Sequence, residues 1–386
     1  MQINQIHAIV NASVKEVLGE TAIVNEDLTN IVDIGKEIIN ASAVDAYVKK
    51  LVNHIGKVIF VNRTYSGSVP SVLMDGWEYG SILEKVTAEL PTATENSSWE
   101  LNDGEDYSPN VFYQPKVSAK FYNAKVTFEI PVSFTEIQVK QSFSNAEQLN
   151  GFISMLFNSV ETAMTVQLNN LIMKTINNMT AETLANDLAP EGTLNMTGST
   201  VKAVNLLKLY NEAKGTSLTK GAAIMDAEFI KYASYIINLY KTRMSTISTL
   251  FNIGGKERFT SAERLHVVLL NDFASAATVF LNSDTYHNDL VALPNYETVP
   301  FWQGSGTGYD FADTTAIDVK TSSGTVIKTD GILGVMFDTE ALGVANLNRR
   351  VTSNFNPKAE FYTNFYKLDA GYYNDLNENF VVFFIG

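Results

Sequence analysis

The chain has 386 residues, of which 45% are hydrophobic and 18% charged, with no cysteine and a formal net charge of −14. That length is ample for one or two packed cores, and a charged fraction below the roughly 25% of ordinary soluble domains implies surface that neighbours cover. Absence of cysteine excludes disulfides and thiolate metal sites and fits synthesis in a reducing cytoplasm, while the acidity argues against gripping nucleic acid through its phosphates, an affinity that Lys and Arg supply by displacing counterions.

The first eighty residues predict two helices, at 5–18 and 28–40, from apolar faces carrying Ile6, Ile9, Val10 and Val14, then Leu28, Ile31, Val32 and Ile38. Residues 44–55 add a third, before a strand at 57–62. Residues 1–19 have no basic start and no apolar run reaches the length of a membrane span, so neither a secretory signal nor membrane contact is expected.

Two long strand-like segments follow, 82–90 and 116–134, around an open polar connection. In the second, Val117, Ala119 and Phe121 alternate with Ser118, Lys120 and Tyr122 at the period of a half-buried strand. Past Asn123 the phase slips, and Val126, Phe128, Ile130, Val132 and Phe134 carry the apolar face, which predicts a bulge at Asn123 and Ala124. The connection, 91–115, is longer than a compact domain needs and carries Trp99, Tyr107, Phe112 and Tyr113. Four aromatics on an excursion invite aggregation unless a partner covers them. The whole arm from Ile82 to Phe134 is therefore expected to find its stability in other copies of the chain.

A helix is predicted over 144–184, about 60 Å at 1.5 Å per residue. Ser144-Asn145-Ala146-Glu147 fits a capping box. Leu149, Phe152, Leu156, Val160, Met164, Leu168, Leu171, Ile172 and Met179 recur at helical spacing, and Pro190 lies past the end. Helices are expected at 201–213, 227–242 and 271–281, and strands at 222–225, 265–270, 332–337, 359–368 and 380–385.

Catalytic chemistry is sparse. His7, His54, His266 and His287 lack zinc-helix spacing, and Gly304 to Gly308 lacks the lysine of a phosphate loop, so no metal and no cofactor is expected. Asp103, Glu105 and Asp106 lack the spacing of a calcium loop and read as solvated charges. Arg349 and Arg350 form a local basic pair suited to phosphate or to a neighbouring subunit's carboxylate.

The stretches Gly80-Ser81-Ile82-Leu83-Glu84-Lys85, Ser108-Pro109-Asn110-Val111-Phe112-Tyr113-Gln114-Pro115 and Lys125-Val126-Thr127-Phe128-Glu129-Ile130-Pro131, with the 172–179 run of the helix, stand in an order that resembles the major capsid proteins of tailed bacteriophages. The similarity is greatest to those of phages infecting Gram-positive hosts. It implies an α+β, HK97-like capsid fold. The N-terminal arm would be 1–65, the extended hairpin (E-loop) 66–134, the peripheral domain 135–198 and 331–386 with its spine helix at 144–184, and the axial domain 199–330 with its tip at Gly304 to Gly308. It implies a non-enzymatic shell protein that assembles as pentamers and hexamers into an icosahedral head of the virion. Double-stranded DNA is confined inside, and the chain would be made in the host cytoplasm. The arm is too short to hold a cleaved scaffolding segment as well, so a separate scaffolding protein is implied beside the portal protein. Some relatives weld their shells with lysine-to-asparagine isopeptide bonds. Lys85, Lys116 and Lys120 sit in the hairpin, but no partner asparagine or catalytic carboxylate is identifiable, and non-covalent assembly is expected. Trp99, Tyr107, Phe112 and Tyr113, with Arg349 and Arg350, are the expected intersubunit contacts. The alternatives are an encapsulin-type compartment and a carbohydrate-binding or enzymatic module built on the aromatic loop.

Overall fold

The computed structural model describes residues 11, 14–15, 18, 69–74, 82–91, 93, 103–104, 110, 112–135, 146–190, 192–282, 293–303, 311–358 and 361–386. Asn11, Val14, Lys15 and Leu18 are helical, within the first expected helix, and the other expected N-terminal elements lie outside the described residues. The chain divides into two compact units, one made of Met1–Gly76, Lys125–Thr175 and Gly343–Tyr372, the other of Trp77–Ala124, Ile176–Leu342 and Tyr373–Gly386.

The first unit holds a four-stranded sheet in the order β1 (Leu73–Met74), β11 (Leu342–Asn356), β12 (Phe361–Asn374) and β4 (Lys125–Thr135). Strand β4 pairs antiparallel with β12 from Thr135 opposite Phe361 to Lys125 opposite Gly371. Its alternation is the expected one, with Val126, Phe128, Ile130 and Val132 half-buried and Lys125, Thr127, Glu129 and Ser133 exposed. Pro131 is tolerated because β4 is the edge strand, where a missing N–H breaks no ladder. On the exposed face Thr127 donates to Asp369, Lys367 pairs with Glu129 at 3.1 Å, and the hydroxyls of Ser133 and Thr363 lie 3.0 Å apart, a ladder of cross-strand polar pairs. The buried face of β12 carries Tyr362, Asn364, Tyr366, Leu368 and Ala370. Strand β4 is thus built into its own subunit's sheet, which corrects the expectation that the arm as far as Phe134 is stabilised by other copies. The predicted bulge at Asn123 and Ala124 is a break in the strand, where β3 (Val117–Tyr122) ends and β4 takes a different partner.

Helix α1 (Ala146–Leu188) runs for 43 residues, about 65 Å. Ser144 of the expected capping box is outside the described residues. The helix continues past the expected residue 184 and stops before Pro190, since the residue preceding proline is driven out of the helical region. Val160, Met164, Leu168, Leu171 and Ile172 are buried along the part in the first unit, and Ile176, Met179 and Leu184 along the part in the second. Thr175, Thr180 and Thr183 are buried too, their hydroxyls donating to the carbonyl four residues earlier at 2.8, 3.0 and 2.9 Å. This is how a polar side chain survives on an apolar face.

The second unit is built on a five-stranded mixed sheet in the order β5 (Ala203–Asn205), β13 (Phe380–Phe384), β10 (Ile332–Asp338), β6 (Leu265–Leu270) and β7 (Glu297–Val299). Every residue of β13 and β10 is buried, the continuous apolar run of a strand covered on both faces. Helices α2 (Leu206–Lys214), α4 (Ala227–Met244) and α5 (Asn271–Asn282) pack on it, and Phe229, Phe273, Phe337, Phe380, Phe383, Phe384 and Trp302 are fully buried. Trp302 donates its indole N–H to Ile332 O at 2.9 Å, satisfying the one polar atom it brings inside. Gly331 takes φ +88°, and a Cβ there would meet Ile385 O at 2.2 Å, so only glycine fits. A separate two-stranded ladder joins β8 (Ile317–Lys320) and β9 (Val326–Thr329).

Several expectations here are corrected. Residues 203–205, expected to open a helix, form β5, parallel to β13, and α2 starts only after Asn205, whose side chain accepts from Lys208 N and caps it. Residues 222–225, expected as a buried strand, belong to the short helix α3 (Lys220–Ala223) and its exit, where Ala222 N bonds Thr219 O and Met225 is exposed. The closing segment 331–386 is not a single block: β10 and β13 lie in the second unit's sheet while β11 and β12 lie in the first's.

Candidate functional site

The hairpin of β2 (Leu83–Ala88) and β3 belongs to the second unit and pairs antiparallel from Leu83 opposite Tyr122 to Ala88 opposite Val117. The pairing sorts its side chains into two faces. One carries Leu83, Lys85, Thr87, Ser118, Lys120 and Tyr122; the other carries Glu84, Val86, Ala88, Val117, Ala119 and Phe121. In the unit's five-stranded sheet the apolar strands β10 and β13 are buried, yet here the apolar face is the exposed one. Val86, Val117 and Phe121 stand in solvent, Phe121 with 64% of its surface free, and Ile82 and Leu90 continue the exposed row at either end.

The polar face is held by the chain's own body. Lys85 Nζ lies 2.9 Å from Asp375 Oδ2, 2.7 Å from Glu378 Oε1 and 3.4 Å from Glu340 Oε2, and Lys120 Nζ lies 2.7 Å from Asp375 Oδ1. The cluster continues outward: Arg258 pairs with Glu378 at 3.2 Å, and Arg264 bridges Glu340 at 2.6 Å and Asp338 at 3.1 Å. Nearby, Lys256 Nζ meets Glu89 Oε1 at 2.7 Å. The side chain of Asp375 is 1% exposed and that of Lys85 13%. The turn after β12 presents the carboxylates, because Asp375 N bonds Ala341 O, and its side chain accepts from Asn377 N. Tyr122 and Tyr373 pack beside the cluster with ring centroids 5.0 Å apart.

Burial alone would lower the Lys85 ammonium, but its hydrogen bonds to Glu378 and Asp375 outweigh burial and hold it above its ordinary value. Burial would likewise raise Asp375, and the hydrogen bonds from Lys120 and Lys85 win, keeping the carboxyl below its usual range. The phenol of Tyr122 is pushed up, first by burial and then by Asp375.

The energetics are a close contest. Covering Val86 and Phe121 by turning the ribbon over would gain roughly 1.5–3 kcal/mol for each side chain fully buried. It would also strand Asp375, and removing the partner of a buried charge costs about 3–5 kcal/mol. The terms are of one order, so the ion cluster offsets what the apolar face would gain by turning inward.

Of the expected contact residues, Phe112 and Tyr113 lie at the start of the segment leading into β3 and are each 84% exposed, while Trp99 and Tyr107 are outside the described residues. Arg350 is paired with Asp369 of β12 within the chain. Arg349 is half-buried in β11, desolvation lowering its pKa, and with the Asn346 amide turned oxygen-first it donates to that oxygen from Nε at 3.1 Å and from Nη2 at 2.8 Å. His266 Nε2 lies 3.0 Å from Thr339 Oγ1, a satisfied strand residue, and Gly304 to Gly308 are outside the described residues. Sequence reading missed the carboxylates Asp375 and Glu378 entirely. The available signal was two acids in a short turn just before an unbroken apolar strand.

Comparison with known proteins gives a consistent picture. A family model described as Phi29-like phage major capsid protein matches residues 10–384. No curated protein sequence matches the chain. Among solved structures, a chain in that of head fiber and inner core protein gp22 of native bacteriophage P68 is similar with a TM-score of 0.53 at 10% identity, over 85% of this chain and 86% of that one. A chain in the capsid structure of Staphylococcus phage Andhra gives 0.47 at 9% identity, over 84% and 86%. One in the mature capsid of bacteriophage PhiM1 gives 0.46 at 9% identity, over 84% and 88%.

Proposed function

Since the chain belongs to the Phi29-like phage major capsid protein family, whose members form the virion shell as homo-oligomers, we propose that its copies assemble as pentamers and hexamers into an icosahedral head around double-stranded DNA. The α+β fold is HK97-like. The observation that carries the finer reading is the hairpin with its apolar face in solvent, a row of Ile82, Val86, Val117 and Phe121 continued by Phe112 and Tyr113. A subunit that worked alone would hide such a row; one that works in a shell covers it with a neighbour, and aromatic residues then dominate the contact energy. Trp99 and Tyr107 join this surface in the same reading. Each contact is modest, and closed symmetry multiplies it.

With a charge of −14, the chain supports confinement of DNA rather than phosphate binding. A separate scaffolding protein and a portal protein complete the assembly in this reading, with synthesis in the host cytoplasm. The test is negative-stain imaging of the expressed protein, alone and with its scaffolding partner, and assay of the particles for nucleic acid after phage infection. Uniform polyhedral shells filled with DNA are expected. Particles that hold a cargo protein and no genome point to a compartment instead, and a monodisperse monomer under both conditions removes the shell reading.

A further inference from the structure

The hairpin's orientation needs a cause, because the hydrophobic effect acting on a lone subunit favours the opposite face inward. The ion cluster supplies it. Lys85, Lys120, Arg258 and Arg264 face Asp338, Glu340, Asp375 and Glu378, four cations to four anions, so the set is neutral only while the hairpin contributes its two lysines. Were the ribbon to turn or swing away, Asp375 would lose both ammonium partners.

We propose that Asp375 and Glu378 are positioning residues for assembly: by holding Lys85 and Lys120 they latch the hairpin to its own subunit with its apolar face already presented before another copy arrives. Such a latch selects one face by penalising the other, since the wrong orientation leaves a buried carboxylate unpaired. It also removes the ordering cost from the association step, so that an incoming subunit meets a preformed surface. The pair between Glu89 and Lys256 adds a second, exposed point of attachment on the same side, which resists twisting of the ribbon about the first. Assembly enters the argument only through the shell-forming reading; the latch itself is a property of the unassembled subunit.

The test is hydrogen exchange of the unassembled chain at low concentration, followed by particle yield. In the double variant Lys85→Met and Lys120→Met, amides of residues 83–88 and 117–122 should exchange at least tenfold faster while those of β10 and β13 are unchanged, and shells should form more slowly and with mixed sizes. Should the double variant also loosen β10 and β13, Lys120→Gln, at a part-exposed site, is read instead by the same criterion. Unchanged hairpin exchange overturns the latch, and so does impaired assembly with normal exchange. A wild-type chain that forms no shells removes the shell reading while leaving the exchange result to decide the latch.

Discussion

The five-stranded sheet and the hairpin lie in one unit and obey opposite rules. In the sheet, Phe380 to Phe384 are buried to the last residue and the chain provides its own cover. In the hairpin the lysines point inward to carboxylates and Val86 and Phe121 point outward to water. Stability in the first comes from apolar area removed from water inside one chain. In the second it comes from paired charge, and the apolar area is left for a later partner. A capsid subunit needs both, a body that covers itself and an edge whose apolar face is left for a neighbour.

Four experiments sharpen this contrast, in falling order of expected effect. Phe383→Ala in the middle of β13 should cost the isolated subunit about 3–5 kcal/mol, read by chemical denaturation, because the cavity lies in a sheet with no route to collapse. A loss under about 1 kcal/mol would mean the sheet is softer than its burial implies. Acid should loosen the hairpin's ion cluster. The Asp375 carboxyl is depressed in the folded chain, so its contribution is present above the 3.8 of an unpaired aspartate and disappears as pH falls through the folded value. Lys85 is raised, so its share is complete below 10.5 and fades only at higher pH. Near-ultraviolet dichroism from the Tyr122 and Tyr373 pair should therefore hold steady across neutral pH and drop only at acidity beyond the ordinary aspartate range, and a transition near pH 6 would contradict the ion cluster. Replacing both Asn364 amide atoms, buried without a hydrogen-bond partner, by the Leu of Asn364→Leu should stabilise the first unit by about 1 kcal/mol, visible as a raised midpoint. Phe121→Ser should change subunit stability by less than about 0.5 kcal/mol, as an exposed site does, yet lower shell yield; normal yield would take Phe121 out of the interface.

Much of the body was legible from the chain. The alternation of residues 125–133 identified β4, the apolar run 265–270 identified β6 to the residue, and the three-and-four spacing from Val160 to Met179 identified the spine helix. The short elements were not. Residues 203–205 and 220–223 are too brief for a period to show, and the state of 203–205 is set by Val382 to Phe384 arriving from the far end of the chain. The candidate site was half legible, since Phe112 and Tyr113 stand out as aromatics in a polar loop, while Asp375 and Glu378 lie more than 250 residues from the lysines they hold.

Periodicity and composition by themselves determined that this protein has a long amphipathic helix, a ribbon of two strands and no thiol chemistry, because each of those properties is local in sequence. Which face of the ribbon meets water was decided only in three dimensions. An alternating strand defines two faces without saying which is inside, and the choice fell to buried carboxylates contributed by the turn after β12.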